Sequence, residues 1–110
     1  MKKKFGAAFQ GLGQALKSKS FQIQMVLACV ALVASFILNF SYTENLILGL
    51  CIGLVLSLEI INEALEKLCD HVTKEWHEDI KVIKDLAAAA VLVASIACLI
   101  LGVMMVMRHL

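Results

Sequence analysis

Glu59, Asn62, Glu66 and Asp70 follow one another at intervals of three, four and four residues. On a helix turning about 100° per residue, that spacing puts all four on one stripe about 80° wide or less. Glu63 falls on the same stripe. The stripe begins after 14 uncharged residues, Asn45 to Leu58. A carboxylate next to hydrocarbon costs several kcal/mol unless it is paired, protonated or bound to a cation. The stripe must therefore face a bundle interior, a water-filled cleft or a metal ion.

Downstream come Lys74, Glu75, Trp76, His77, Glu78, Asp79 and Lys81, and then the pair Lys84-Asp85. Acids gathered with a few lysines suit phosphoryl transfer. Carboxylates hold Mg²⁺, a lysine meets phosphate oxygens, and a remaining carboxylate takes the proton from an acceptor hydroxyl. There is no G-x-x-x-x-G-K-[ST], which excludes a P-loop, and Gly11-Leu12-Gly13 lacks the strand and third glycine of a dinucleotide fingerprint. Those glycines mark a flexible point. His71, His77 and Cys69 fit no common zinc spacing. The four cysteines, scattered singly, read as small hydrophobes of the core, and Trp76 reads as an interfacial anchor ahead of an adenine platform.

The elements that must position these groups are membrane helices. The chain has 110 residues, is 61% hydrophobic and contains no proline, more apolar surface than a water-soluble domain of this length can bury. Uncharged runs of 24 residues between Lys19 and Glu44, and of 22 between Asp85 and Arg108, each cross a hydrocarbon core of roughly 30 Å. The expected architecture is all-α and a single domain over 1–110. An amphipathic surface helix spans about 1–19, crossings span about 21–40, 45–63 and 86–107, and a cytoplasmic segment spans about 65–85. The surface helix shows Phe5, Ala8, Phe9, Leu12, Ala15 and Leu16 at helical spacing.

Nine lysines fall on one side of these crossings and only Arg108 on the other. That places the N-terminus and the 65–85 segment in the cytoplasm, and the C-terminus and the Ser41–Glu44 turn outside. Residues up to Lys19 are too polar for a secretory h-region, so no cleavage is expected. A net charge of +1 leaves no basic footprint for nucleic acid. Gly49-x-x-x-Gly53 lets helices approach closely in the second crossing.

The run Glu59-Ile60-Ile61-Asn62-Glu63-Ala64-Leu65-Glu66-Lys67-Leu68-Cys69-Asp70 resembles the E-x-x-N-x-A-x-E-x-x-x-D signature of the prokaryotic diacylglycerol kinase and undecaprenol kinase family. Lys84-Asp85-Leu86-Ala87-Ala88-Ala89-Ala90-Val91 is similar to the opening of that family's third crossing. The resemblance covers nearly the whole chain. It implies an ATP-dependent kinase of a membrane lipid alcohol at the inner face of the bacterial cytoplasmic membrane, working as a homotrimer with active sites shared between subunits. Residue by residue, it implies that Glu59 is the catalytic base, that Glu66 binds the Mg²⁺ of Mg-ATP, and that Asn62 and Asp70 support the site. It further implies that Glu75, His77, Lys84 and Asp85 contact nucleotide.

One position departs from the pattern. Family members usually carry a metal-site glutamate just before the first crossing, where this chain has Lys17-Ser18-Lys19-Ser20-Phe21 and Ser18 stands nearest. Glu63 is a candidate to replace that ligand, and an ion pair with Lys67 at i+4 is its alternative. Two other classes stay open on the residues alone. A small oligomeric transporter or channel subunit would use Glu59, Glu63 and Glu66 as proton or cation sites, and a regulatory member of the family would keep the fold without turnover. Diacylglycerol and undecaprenol both present a hydroxyl at the interface, and nothing in the apolar residues separates them.

Overall fold

The computed structural model describes residues 2–110 and contains four α-helices: α1 (Lys2–Ala15), α2 (Lys19–Ile37), α3 (Tyr42–Val72) and α4 (Glu78–Arg108). No strand occurs among the described residues. Helices α2, α3 and α4 are each long and apolar enough to cross a membrane. A bilayer leaves a spanning segment no water to satisfy its backbone, so helices are the form these sequences must take.

The boundaries have local causes. Ser18 stands at the N-cap of α2, its hydroxyl accepting from Phe21 N–H at 3.4 Å, which separates α1 from α2 by a short link. Accordingly α1 ends at Ala15, short of the expected 19, and it runs unbroken through Gly11 and Gly13. After α2 the chain reverses through Asn39, whose φ of 57° is the left-handed region that asparagine tolerates. A capping box then opens α3: Ser41 Oγ accepts from Glu44 N–H at 3.2 Å, and Glu44 Oε1 accepts from Ser41 N–H at 2.9 Å.

Helix α3 has 31 residues, about 46 Å at the usual rise and longer than a hydrocarbon core is thick. Its last turns, with Glu66 and Asp70, therefore project past the apolar crossing. The first two turns of α4 project at the same end, as far as Asp85. The α3–α4 pair packs most extensively, α2 lies against α3, and α1 touches α3 lightly.

The buried core is small: Phe40, Leu48 and Met105 form its one apolar cluster among the described residues. Large apolar side chains such as Val30, Leu50, Val93 and Met104 point outward instead, the arrangement a hydrocarbon solvent favours. At the end opposite Lys84, His109 ties α4 to the α2–α3 turn. Its ring stacks on Phe40 with centroids 5.2 Å apart, and its Nε2 lies 2.8 Å from Glu44 Oε1. A carboxylate only accepts, so this ring nitrogen carries the proton.

Candidate functional site at the Lys84 end of the bundle

The stripe read from the spacing turns inward. Glu59 is 5% exposed and Asn62 9%, Glu63 and Glu66 are half-buried, and Asp70 is exposed at the helix end. Burial thus falls away along α3 from the hydrocarbon toward its projecting end. Asn62 Oδ1 is shielded from solvent and has no hydrogen-bond partner. Such an orphaned acceptor is costly, and it sits one turn from Glu59.

Gln24, which the sequence did not mark, enters here. It stands on α2 among mostly apolar residues, half-buried where its neighbour Gln22 is exposed, and its side chain lies near the Glu59 carboxylate, as does that of Asn62. A polar residue in a membrane helix is itself a signal, but a neighbour on another helix is not contained in the spacing along α3.

At the projecting end, Lys84 Nζ lies 2.6 Å from Asp70 Oδ1 and so joins α4 to the stripe. The Asp70 carboxylate beside Lys84 holds its ammonium above the usual lysine range. Asp85 turns the other way and pairs with Lys81 at 2.7 Å. No ion pair joins Glu63 to Lys67 among the described residues: Lys67 is exposed and extends into solvent, leaving the half-buried Glu63 with its stripe.

A cleft of about 620 Å³ opens beside this pair, lined among others by Asp70, Glu75, Trp76, His77, Lys84 and Asp85. The link between α3 and α4 forms its floor, where Thr73 Oγ1 accepts from Glu75 N–H at 3.1 Å. The anchor expected at Trp76 is thus a cleft wall as well. A second space of about 520 Å³, an apolar groove between α2, α3 and α4, runs from Gln24 to Phe40.

No three His, Cys, Asp or Glu side chains converge closely enough to hold a metal among the described residues. What the site offers is oxygen: the Glu63 and Glu66 carboxylates and the partnerless Asn62 Oδ1. Hard divalent cations take such donors, and they take part of their shell from phosphate. The donor set therefore fits a metal carried in with a nucleotide. Ser18, nearest to the missing glutamate, is engaged as the α2 cap.

The family model for prokaryotic diacylglycerol kinase matches residues 6–106. Undecaprenol kinase of Bacillus subtilis (strain 168) is 34% identical over 103 residues, 93% of this chain and 84% of that protein. Diacylglycerol kinase of Haemophilus influenzae is 32% identical over 88 residues, covering 79% and 75% of the two chains. Diacylglycerol kinase of Escherichia coli (strain K12) is 30% identical over 105 residues, covering 94% and 86%. The chain belongs to the prokaryotic diacylglycerol kinase family: it is a membrane lipid kinase, an enzyme that needs ATP, a divalent metal and a lipid acceptor.

Proposed function

We propose that this chain transfers the γ-phosphoryl group of ATP to the hydroxyl of a membrane lipid alcohol, diacylglycerol or undecaprenol, at the cytoplasmic face of the bacterial inner membrane. The observation that carries the reading is the gradient along α3. A buried Glu59 with Gln24 and Asn62 near it stands at one end, and the Asp70–Lys84 pair opening on a polar cleft stands at the other. A lipid hydroxyl meets such a site from the hydrocarbon side and a nucleotide from the polar side.

In this reading Glu59 takes the proton from the lipid hydroxyl as its oxygen attacks the γ-phosphorus. The bond from that phosphorus to the β-bridging oxygen breaks, and ADP leaves. Gln24 orients the Glu59 carboxylate, and Asn62 Oδ1 accepts from a group the site takes up. Glu66, with Glu63 beside it, would hold the Mg²⁺ of Mg-ATP, which would supply charge neutralisation to the phosphates. Lys84 and Asp85, with Glu75 and His77 across the cleft, contact the nucleotide, and Asp70 holds Lys84 in place. Cleft walls on α3, α4 and their link belong to one domain over 1–110.

The half-buried Glu63 and Glu66 keep part of their surface open to a neighbouring copy, consistent with the homotrimer that the family resemblance implies. The lysine distribution supports an N-terminus in the cytoplasm and a C-terminus outside.

The test is purified chain in lipid bilayers with ATP labelled at its γ-phosphate and with diacylglycerol or undecaprenol supplied in parallel. Label in one lipid phosphate identifies the acceptor. Label in neither would overturn the reading.

A further inference from the structure

Two cysteines that the phosphoryl-transfer site does not use meet across the α3–α4 pair. The Cys98 thiol, on α4, donates to the backbone carbonyl oxygen of Cys51, on α3, with Sγ to O at 3.7 Å. Both residues line the apolar groove, and all four cysteines of the chain are free. Of the other two, Cys29 is exposed on α2. Cys69 is buried 18 residues further along α3 than Cys51, about 27 Å away at the helical rise and out of disulfide reach.

We infer that Cys51 and Cys98 form an oxidation site: a bilayer-soluble two-electron acceptor of the azo or quinone class, entering the groove, converts them to a disulfide that joins α3 to α4. Contact of the Cys98 sulfur with the Cys51 backbone sets the two residues side by side, the first condition for a disulfide between them. The groove, at about 520 Å³, admits a small apolar molecule to both sulfurs.

With an azo compound the step balances as follows. The first thiol adds across the N=N bond, its sulfur to one nitrogen and its proton to the other. The second sulfur attacks the first, the S–N bond breaks, and its proton goes to the departing nitrogen. The two sulfurs are oxidised by two electrons and the azo compound leaves as a hydrazine. The new bond closes a loop between residues 47 apart in sequence. It restricts the unfolded chain and so raises resistance to unfolding.

The experiment treats the intact, bilayer-embedded chain with diamide, a membrane-permeant azo oxidant, then alkylates the remaining thiols and maps the peptides. The expected result is a monomeric chain lighter by two hydrogens, with Cys51 linked to Cys98, Cys29 and Cys69 alkylated, and an unfolding midpoint that rises on oxidation and returns with dithiothreitol. A Cys29→Ala, Cys69→Ala chain gives the same bond, and Cys98→Ser loses it. Full alkylation of Cys51 and Cys98 after diamide, or a bond to any other partner, would overturn the site. A mapped Cys51–Cys98 bond with an unchanged midpoint would overturn the clamp. None of these readouts depends on kinase activity, so they stand apart from the phosphoryl-transfer reading.

Discussion

Lys84 of α4 sits 2.6 Å from Asp70 of α3, and through this pair the polar ends of two membrane helices become one site. Both side chains are more than one-third exposed, so solvent screening leaves the pair little contribution to stability. Its value lies in position. Lys84→Met is expected to lower lipid phosphorylation by about 100-fold or more, the usual scale for losing a preorganised charge on a transferring phosphoryl group. Asp70→Asn, which frees Lys84 without removing it, costs less. Steady-state kinetics of both variants, alongside thermal unfolding in detergent, checks the ordering, and unfolding midpoints stay close to wild type.

Gln24→Leu removes the amide near Glu59 and roughly keeps the side-chain size. If Gln24 orients the carboxylate, kcat falls about tenfold, the lower end of what positioning contributes, while KM for ATP is unchanged. An equal loss in kcat and a rise in KM for ATP would mean that the change reaches the cleft and that Gln24 has a different role.

Ser18 is where the chain departs from its family, and the structure gives it a second duty as the α2 cap. Ser18→Ala is expected to cost about 1 kcal/mol in stability through loss of the cap. Ser18→Asp keeps a good capping side chain and puts a carboxylate at the position where the family resemblance implies a metal-site glutamate. It should lower the Mg²⁺ concentration for half-maximal activity with no loss of stability. Glu63→Gln, in the same titration, raises that concentration if Glu63 stands in for the missing ligand. An unchanged titration would remove Glu63 from the metal's shell.

At the far end of the bundle, the Ser41 backbone N–H and then the His109 ring hold the Glu44 carboxyl at about 2, down from 4.5. Glu44 lies in the first turn of α3, ahead of the uncharged run that begins at Asn45. A folded-state value below the unfolded one contributes stability that is present above 4.5 and is lost as pH falls toward 2. Protection of residues 105–110 against hydrogen exchange, taken relative to the intrinsic rate at each pH, should therefore fall across that acid window. In Glu44→Gln that fall disappears, and protection is low throughout.

Much of this was legible in the residues, for reasons that differ by element. Charge-free runs fix where helices must cross, because the bilayer leaves no other way to satisfy the backbone. A stripe at helical spacing fixes which carboxylates share a face, and Glu59 and Asn62 are indeed the buried pair. Pairing between helices is another matter: Asp70 with Lys84, Gln24 with Glu59 and Cys51 with Cys98 depend on the rotation and shift of one helix against its neighbour, which no single helix's periodicity contains. The Glu63–Lys67 pair failed for a related reason. An i+4 spacing permits an ion pair, but the exposed lysine gains more from water than from a half-buried partner. Family membership also retires the transporter reading, which had no use for Lys84 and Asp85.

Glu59 decides the account. Glu59→Gln keeps the shape of the side chain and removes the base, so phosphate transfer from ATP to the lipid acceptor should fall by about 100- to 10,000-fold, the range general-base catalysis supplies, with nucleotide binding retained. The direct measurement is label transferred from the γ-phosphate of ATP to lipid by this variant and by wild type at matched protein and Mg²⁺ concentrations. Transfer by Glu59→Gln at the wild-type rate would contradict the assignment.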